Sequence, residues 1–151
     1  MVYRIEFEQW FPERLREVFL FFADAGNLET LTPPWLRFRI LTPQPIQFHQ
    51  GSIIDYRLSL HGFPVRWRTK ILVWDPPWGF VDKQVKGPYR HWVHEHFFAE
   101  QEEGTLVRDH ITYDMWLGPL VHRLFVRKDL EAIFRLPSEG FHIILLRCRP
   151  V

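Results

Sequence analysis

From residue 53 to 116 nearly every second side chain is apolar, and the alternation breaks only at short turn-forming stretches. Ile54, Tyr56, Leu58 and Leu60 alternate with Asp55, Arg57 and Ser59. Beyond "HGFP", Trp67, Thr69, Ile71 and Val73 alternate with Arg66, Arg68 and Lys70. "DPPWG" leads into 79–85, "KGP" joins 79–85 to 89–100, and "EEG" at 102–104 turns the chain into 105–116. A period of two sends successive side chains to opposite faces, as a half-buried strand requires. Strands linked by turns this short pair antiparallel. The same period in Tyr3, Ile5 and Phe7, and again in Leu36, Phe38 and Ile40, adds two strands upstream.

Helical spacing brackets this meander. Pro12 suits the first turn of a helix, and Leu15, Val18, Phe19 and Phe22 lie on one face of it. Gly26 is expected to end that helix and Asn27 to cap a second, "LETLT", stopped by Pro33 and Pro34. From about Gly118 to Leu136 the spacing predicts a long helix with Val126, Leu130, Ile133 and Phe134 on one face. The expectation is an α+β helix-grip fold: a curved antiparallel sheet of about six to seven strands wrapped around a long C-terminal helix, in one domain over 1–151. After Pro137 and Gly140, the apolar run Phe141–Leu146 reads as an extra edge strand, an oligomer contact or a disordered tail.

Charge excludes some functions. With 19 Lys and Arg against 18 Asp and Glu, no global field draws the chain to nucleic acid or an anionic membrane. Arg37, Arg39, Arg66, Arg68 and Lys70 read as a solvated outer face. Cys148 is the single cysteine, which excludes an internal disulfide, a CxxC redox pair and a multi-cysteine zinc site. "MVYRIEFEQW" lacks the apolar core of a signal peptide, and no run is long enough to span a bilayer. A cytoplasmic monomer or homodimer is expected.

The phrases "NLETLTPPWLRFRIL", "GSIIDYRLSLHGFPVRWRTKI", "DPPWGFVDKQVKGPYRHWVHEHFF", "GTLVRDHITYDMWLGPL" and "LEAIF" cover roughly residues 24–135. Together with the element order they resemble the START/birch-pollen-allergen-like (SRPBCC) superfamily, in particular its uncharacterised bacterial ligand-binding or cyclase/dehydrase-like branch. The resemblance implies a deep hydrophobic or amphipathic pocket beneath the C-terminal helix. It implies no fixed chemistry, which must be argued from the site.

Strand parity selects the pocket residues. In "HWVHEHFF" Trp92, His94, His96 and Phe98 share one face, and an even turn at 102–103 continues that face as Val107, Asp109, Ile111 and Tyr113. Tyr56, Trp67 and Thr69 point inward by the same logic, as do Phe80, Asp82 and Gln84. The expected ligand-binding set is Tyr56, Trp67, Thr69, Asp82, Gln84, Trp92, His94, His96, Asp109 and Tyr113. Such aromatic walls with a few polar anchors suit a hydrophobic small molecule carrying a polar or anionic group. Two alternatives remain open. His94 or His96 beside Asp109 would make an acid–base pair for cyclase or dehydratase chemistry. His94-x-His96, with Glu100 at matching parity, would make a metal site; the reading adopted has no metal and no cofactor.

Overall fold

A computed structural model describes residues 1–116, 118, 122, 126–134 and 142–150. Its elements run β1 (Tyr3–Phe11), α1 (Leu15–Phe22), α2 (Ala25–Leu31), a 3-10 turn (Pro34–Leu36), β2 (Arg39–Ile40), β3 (Ile53–Leu60), β4 (Phe63–Asp75), β5 (Gly79–Lys86), β6 (His91–Gln101), β7 (Gly104–Asp114), α3 (Arg127–Phe134) and β8 (His142–Pro150). All strands join one antiparallel sheet in the order β2-β3-β4-β5-β6-β7-β1-β8. This is the expected α+β helix-grip fold. No helix among the described residues is long and apolar enough to cross a membrane.

The turns explain the register. His61 and Gly62, and Glu102 and Glu103, all have positive φ, which lets each pair close a two-residue hairpin between Leu60 and Phe63 and between Gln101 and Gly104. In β4 the register shifts between Arg68 and Thr69 and again between Ile71 and Val73. Such irregularities bend a strand and increase its twist, helping a sheet curl.

Three local expectations need correction. Asp24, not Asn27, caps α2: its carboxylate accepts the Gly26 N–H at 2.9 Å, so Gly26 lies in the first turn of α2 instead of ending α1. The strand expected over 36–40 shortens to Arg39–Ile40, because Pro34 opens a 3-10 turn and Arg37 has φ 46°. The helix expected after Pro12 begins only at Leu15. Of the residues expected to form a long C-terminal helix, those described as α-helix are Arg127–Phe134, α3; the stretch with Leu136, Pro137 and Gly140 lies outside the described residues, as does Phe141. Residues 142–150 form an edge strand antiparallel to β1.

The core divides in two. Under α1, Leu15, Val18 and Phe19 pack on Phe11, Ile54, Ile71, Phe80, Phe98 and Val107. Under α3, Leu130 packs with Tyr3, Ile5, Phe7, Trp92, Ile111 and Tyr113. Burying each such large apolar side chain contributes about 1.5–3 kcal/mol. Between the two clusters the inner face of β5, β6 and β7 carries charge.

Candidate functional site: a histidine–aspartate cluster in an apolar cavity

Cross-strand pairing assembles the charged patch. Asp82 on β5 lies opposite His94 on β6, and His96 on β6 lies opposite Asp109 on β7. Side chains on one face of neighbouring strands also meet diagonally. His94 Nε2 is 2.8 Å from Asp109 Oδ1, and His96 Nε2 is 3.0 Å from Asp82 Oδ2. His96 Nδ1 also lies 2.9 Å from Asp109 Oδ1 but lacks the alignment of a hydrogen bond. His94 Nδ1 faces Asp82 Oδ2 at 4.0 Å. Thr69 donates its hydroxyl to Asp82 Oδ1 at 3.1 Å. The imidazoles lie 3.7 Å apart between centroids, and Phe80 stacks on His96 at 4.1 Å.

These groups are largely withdrawn from water, so their charges depend on one another. Burial opposes protonation of His96, yet the two carboxylates beside it, Asp109 at 2.9 Å and Asp82 at 3.0 Å, outweigh it and hold its pKa up at about 9. Burial likewise raises both carboxyls, but hydrogen bonds and charge from the histidines win and keep Asp82 and Asp109 below the usual carboxylate range. An ion pair in such a place does little for stability alone, since apolar side chains of similar volume would do as well or better.

The cluster forms part of the wall of a cavity of about 800 Å³. Tyr56, Trp67, Thr69, Asp82, Trp92, His94, His96 and Asp109 line it, as the strand parity requires. Burial also pushes the Tyr56 phenol well above its usual range, so it stays neutral. Gln84 and Tyr113 are buried but do not line the cavity. Gln84 holds the backbone of Tyr89, donating to its carbonyl at 2.7 Å and accepting its N–H at 3.3 Å. Tyr113 stacks on Tyr3 and shares a 2.6 Å hydrogen bond with His122. Glu100 is exposed, away from the histidines it matched in parity.

Tyr89 itself lines the cavity, in edge or tilted contact with Trp67 and Trp92. Sequence parity over the strand expected at 89–100 puts it on the face opposite Trp92; it sits instead in the β5–β6 connection, before β6 begins at His91. Helices and loops add Phe22, Leu28, Leu36, Phe38, Phe48, Leu130 and Ile133 to the apolar wall that strand residues such as Phe7, Ile54, Leu58 and Ile71 begin. Phe22, Leu28, Leu130 and Ile133 fall in stretches read as helical from the sequence, and Leu36 and Phe38 in one read as a strand; Phe48 carried no periodic signal.

No protein-family sequence profile matches the chain, and no curated protein matches it in sequence. Solved structures do. The crystal structure of Ara h 8.0201 superposes with TM-score 0.61 at 16% identity, over 89% of this chain and 94% of that one. TTHA0849 from Thermus thermophilus gives 0.65 at 17%, over 86% and 90%. The chain shares its helix-grip fold with these structures. A third structure, the di-domain ARO/CYC StfQ from the steffimycin biosynthetic pathway, gives 0.64 at 14% identity, over 89% of this chain and 49% of that one. At these identities the likeness is one of fold.

Proposed function

We propose that the protein binds a hydrophobic or amphipathic small molecule between the sheet and the C-terminal helix, with the ligand's polar group seated on His94, His96, Asp82 and Asp109. The observation that carries this reading is the cavity of about 800 Å³, apolar over most of its wall and charged at one patch. Drug-sized ligands occupy cavities of about 300–1,000 Å³ with this distribution of polarity. Native mass spectrometry of the purified chain is expected to show a retained organic adduct. Anilinonaphthalene sulfonate, an amphipathic fluorescent probe, should bind once per chain and be displaced by that adduct. Leu58→Trp, which fills the cavity from β3, should weaken probe binding at least tenfold. Equal binding by this variant, folded by circular dichroism, would place the probe elsewhere and refute the reading.

The 2.8 Å contact between His94 and Asp109 supports a second reading, acid–base catalysis. An imidazole oriented by a carboxylate can accept a proton, while His96, protonated at neutral pH, can donate one. The substrate class would be an aromatic or β-keto compound undergoing cyclisation or loss of water. Incubating such a compound with the protein should give either a cyclised isomer, seen by a changed retention time and ultraviolet absorption at unchanged mass, or a product lighter by one water. A compound recovered unchanged in mass, retention and absorption, with demonstrated binding, would leave a binding protein.

A further inference from the structure

We infer that Asp82, His94 and His96 form a binding site for a divalent transition-metal ion in the cavity wall, with Asp109 orienting the two imidazoles from behind. The inference goes beyond the proposed ligand binding and does not depend on it. The ligand atoms of these three residues all lie within 4.8 Å of one another. Metal–nitrogen and metal–oxygen bonds of ~2.0–2.2 Å in a tetrahedral site put ligand atoms roughly 3.3 Å apart. The observed separations of Asp82 Oδ2 are 3.0 Å from His96 Nε2 and 4.0 Å from His94 Nδ1. The two imidazole nitrogens lie within 4.8 Å of each other, so binding an ion would draw His94 in by side-chain rotation.

The orientation of the rings separates this site from an ordinary ion-pair network. Each imidazole turns one nitrogen toward Asp82 and the other toward Asp109: His94 Nδ1 and His96 Nε2 to the former, His94 Nε2 and His96 Nδ1 to the latter. Metal-binding histidines characteristically give their second nitrogen to a carboxylate, which fixes the tautomer and the ring direction. Asp109 occupies that position for both rings, and Thr69 similarly holds the other oxygen of Asp82. The network as it stands leaves His96 Nδ1 buried without an aligned partner. A divalent cation would balance the two carboxylates with both imidazoles neutral. Two nitrogens and one carboxylate favour zinc, cobalt, nickel or iron over calcium and magnesium, which prefer all-oxygen shells. Three protein ligands leave a position directed to the cavity, where water or an organic ligand could bind.

The test is titration of the chelator-treated full chain with cobalt(II), with no organic ligand present, so that its failure leaves the cavity reading untouched. One ion per chain, a visible ligand-field spectrum and displacement by zinc(II) are expected. Asp82→Asn and His94→Gln should each weaken binding at least tenfold. Asp109→Asn should weaken it about 10–100-fold through ring orientation. His91→Gln and His110→Gln, on the opposite face of the same strands, should leave it unchanged. Because the buried variants could unfold, copper(II)-loaded wild type provides an independent readout, in which electron paramagnetic resonance should show coupling to two imidazole nitrogens. Failure to bind stoichiometrically, coupling to fewer than two nitrogens, retained affinity in folded Asp82→Asn, or loss of affinity in His110→Gln would each overturn the assignment.

Discussion

At the scale of single residues, His96 determines how the molecule answers pH. Burial disfavours its charge, and Asp109 and Asp82 reverse that preference, raising the pKa from 6.5 to about 9. A group whose folded pKa is raised contributes stability that is fully present below the unfolded pKa and is lost as pH rises through the folded one. The window is therefore 6.5 to about 9. Asp82 and Asp109, both lowered from 3.8, act in the other direction, and their contribution is lost as pH falls below that value. His122, whose pKa is lowered by burial and by Arg127, also costs stability only on the acid side. The melting temperature of chelator-treated protein should accordingly fall between pH 6.5 and about 9, and His96→Gln should flatten that limb. An unchanged alkaline limb in the variant would show that His96 is not its source.

At the scale of elements, the β6–β7 turn puts His94, His96 and Asp109 on one face, because a loop of odd length would invert the parity of β7 against β6. Glu102 and Glu103 carry φ of 51° and 60°, conformations that L side chains adopt at a cost. The β3–β4 turn solves the same problem with a glycine, Gly62 at φ 82°. Glu103→Gly should therefore stabilise the protein by about 1 kcal/mol at most, the relief of strain exceeding glycine's own entropic cost. A chemical-denaturation midpoint that falls would contradict it. Gly79 has the opposite sensitivity: a Cβ there would run into the carbonyl oxygen of His96. Gly79→Ala should cost about 1–3 kcal/mol and loosen β5 from β6, separating Asp82 from His96. Unchanged stability and probe binding would mean that the strands accommodate the methyl group. The faces of these strands were legible in sequence because parity follows from the turn. Position along them was not. Tyr113 and Gln84 have the expected parity but sit where His122 and the Tyr89 backbone meet them. Phe48, in an irregular segment, had no period to reveal it, and the parity of the strand read over 89–100 does not extend to Tyr89, which precedes β6.

At the scale of the whole molecule, the sheet must end somewhere, and its two edges differ. One is β2, only two residues long, in a segment with Pro43 and Pro45 that blunts further pairing. The other is β8, whose backbone pairs with β1 from Tyr3↔Pro150 to Trp10↔His142. The sequence left this tail open among three readings, since an apolar run after a proline and a glycine specifies no partner by itself. Pairing with β1 gives it a structural consequence. Without β8, the nine residues of β1 would become an unprotected edge beside Ile5 and Phe7, both almost fully buried. Exposed strands of that length recruit other chains. A chain ending at residue 134 should thus melt at lower temperature and self-associate with rising concentration, as followed by light scattering. Its cavity should survive, because the described lining residues all lie between Phe7 and Ile133. The truncated chain is expected to bind anilinonaphthalene sulfonate with the stoichiometry of the full chain. A truncated chain that stays monomeric and equally stable would mean that β8 adds nothing to the sheet. Loss of probe binding in a folded monomer would mean instead that the edge strand shapes the cavity from outside, through the placement of β1.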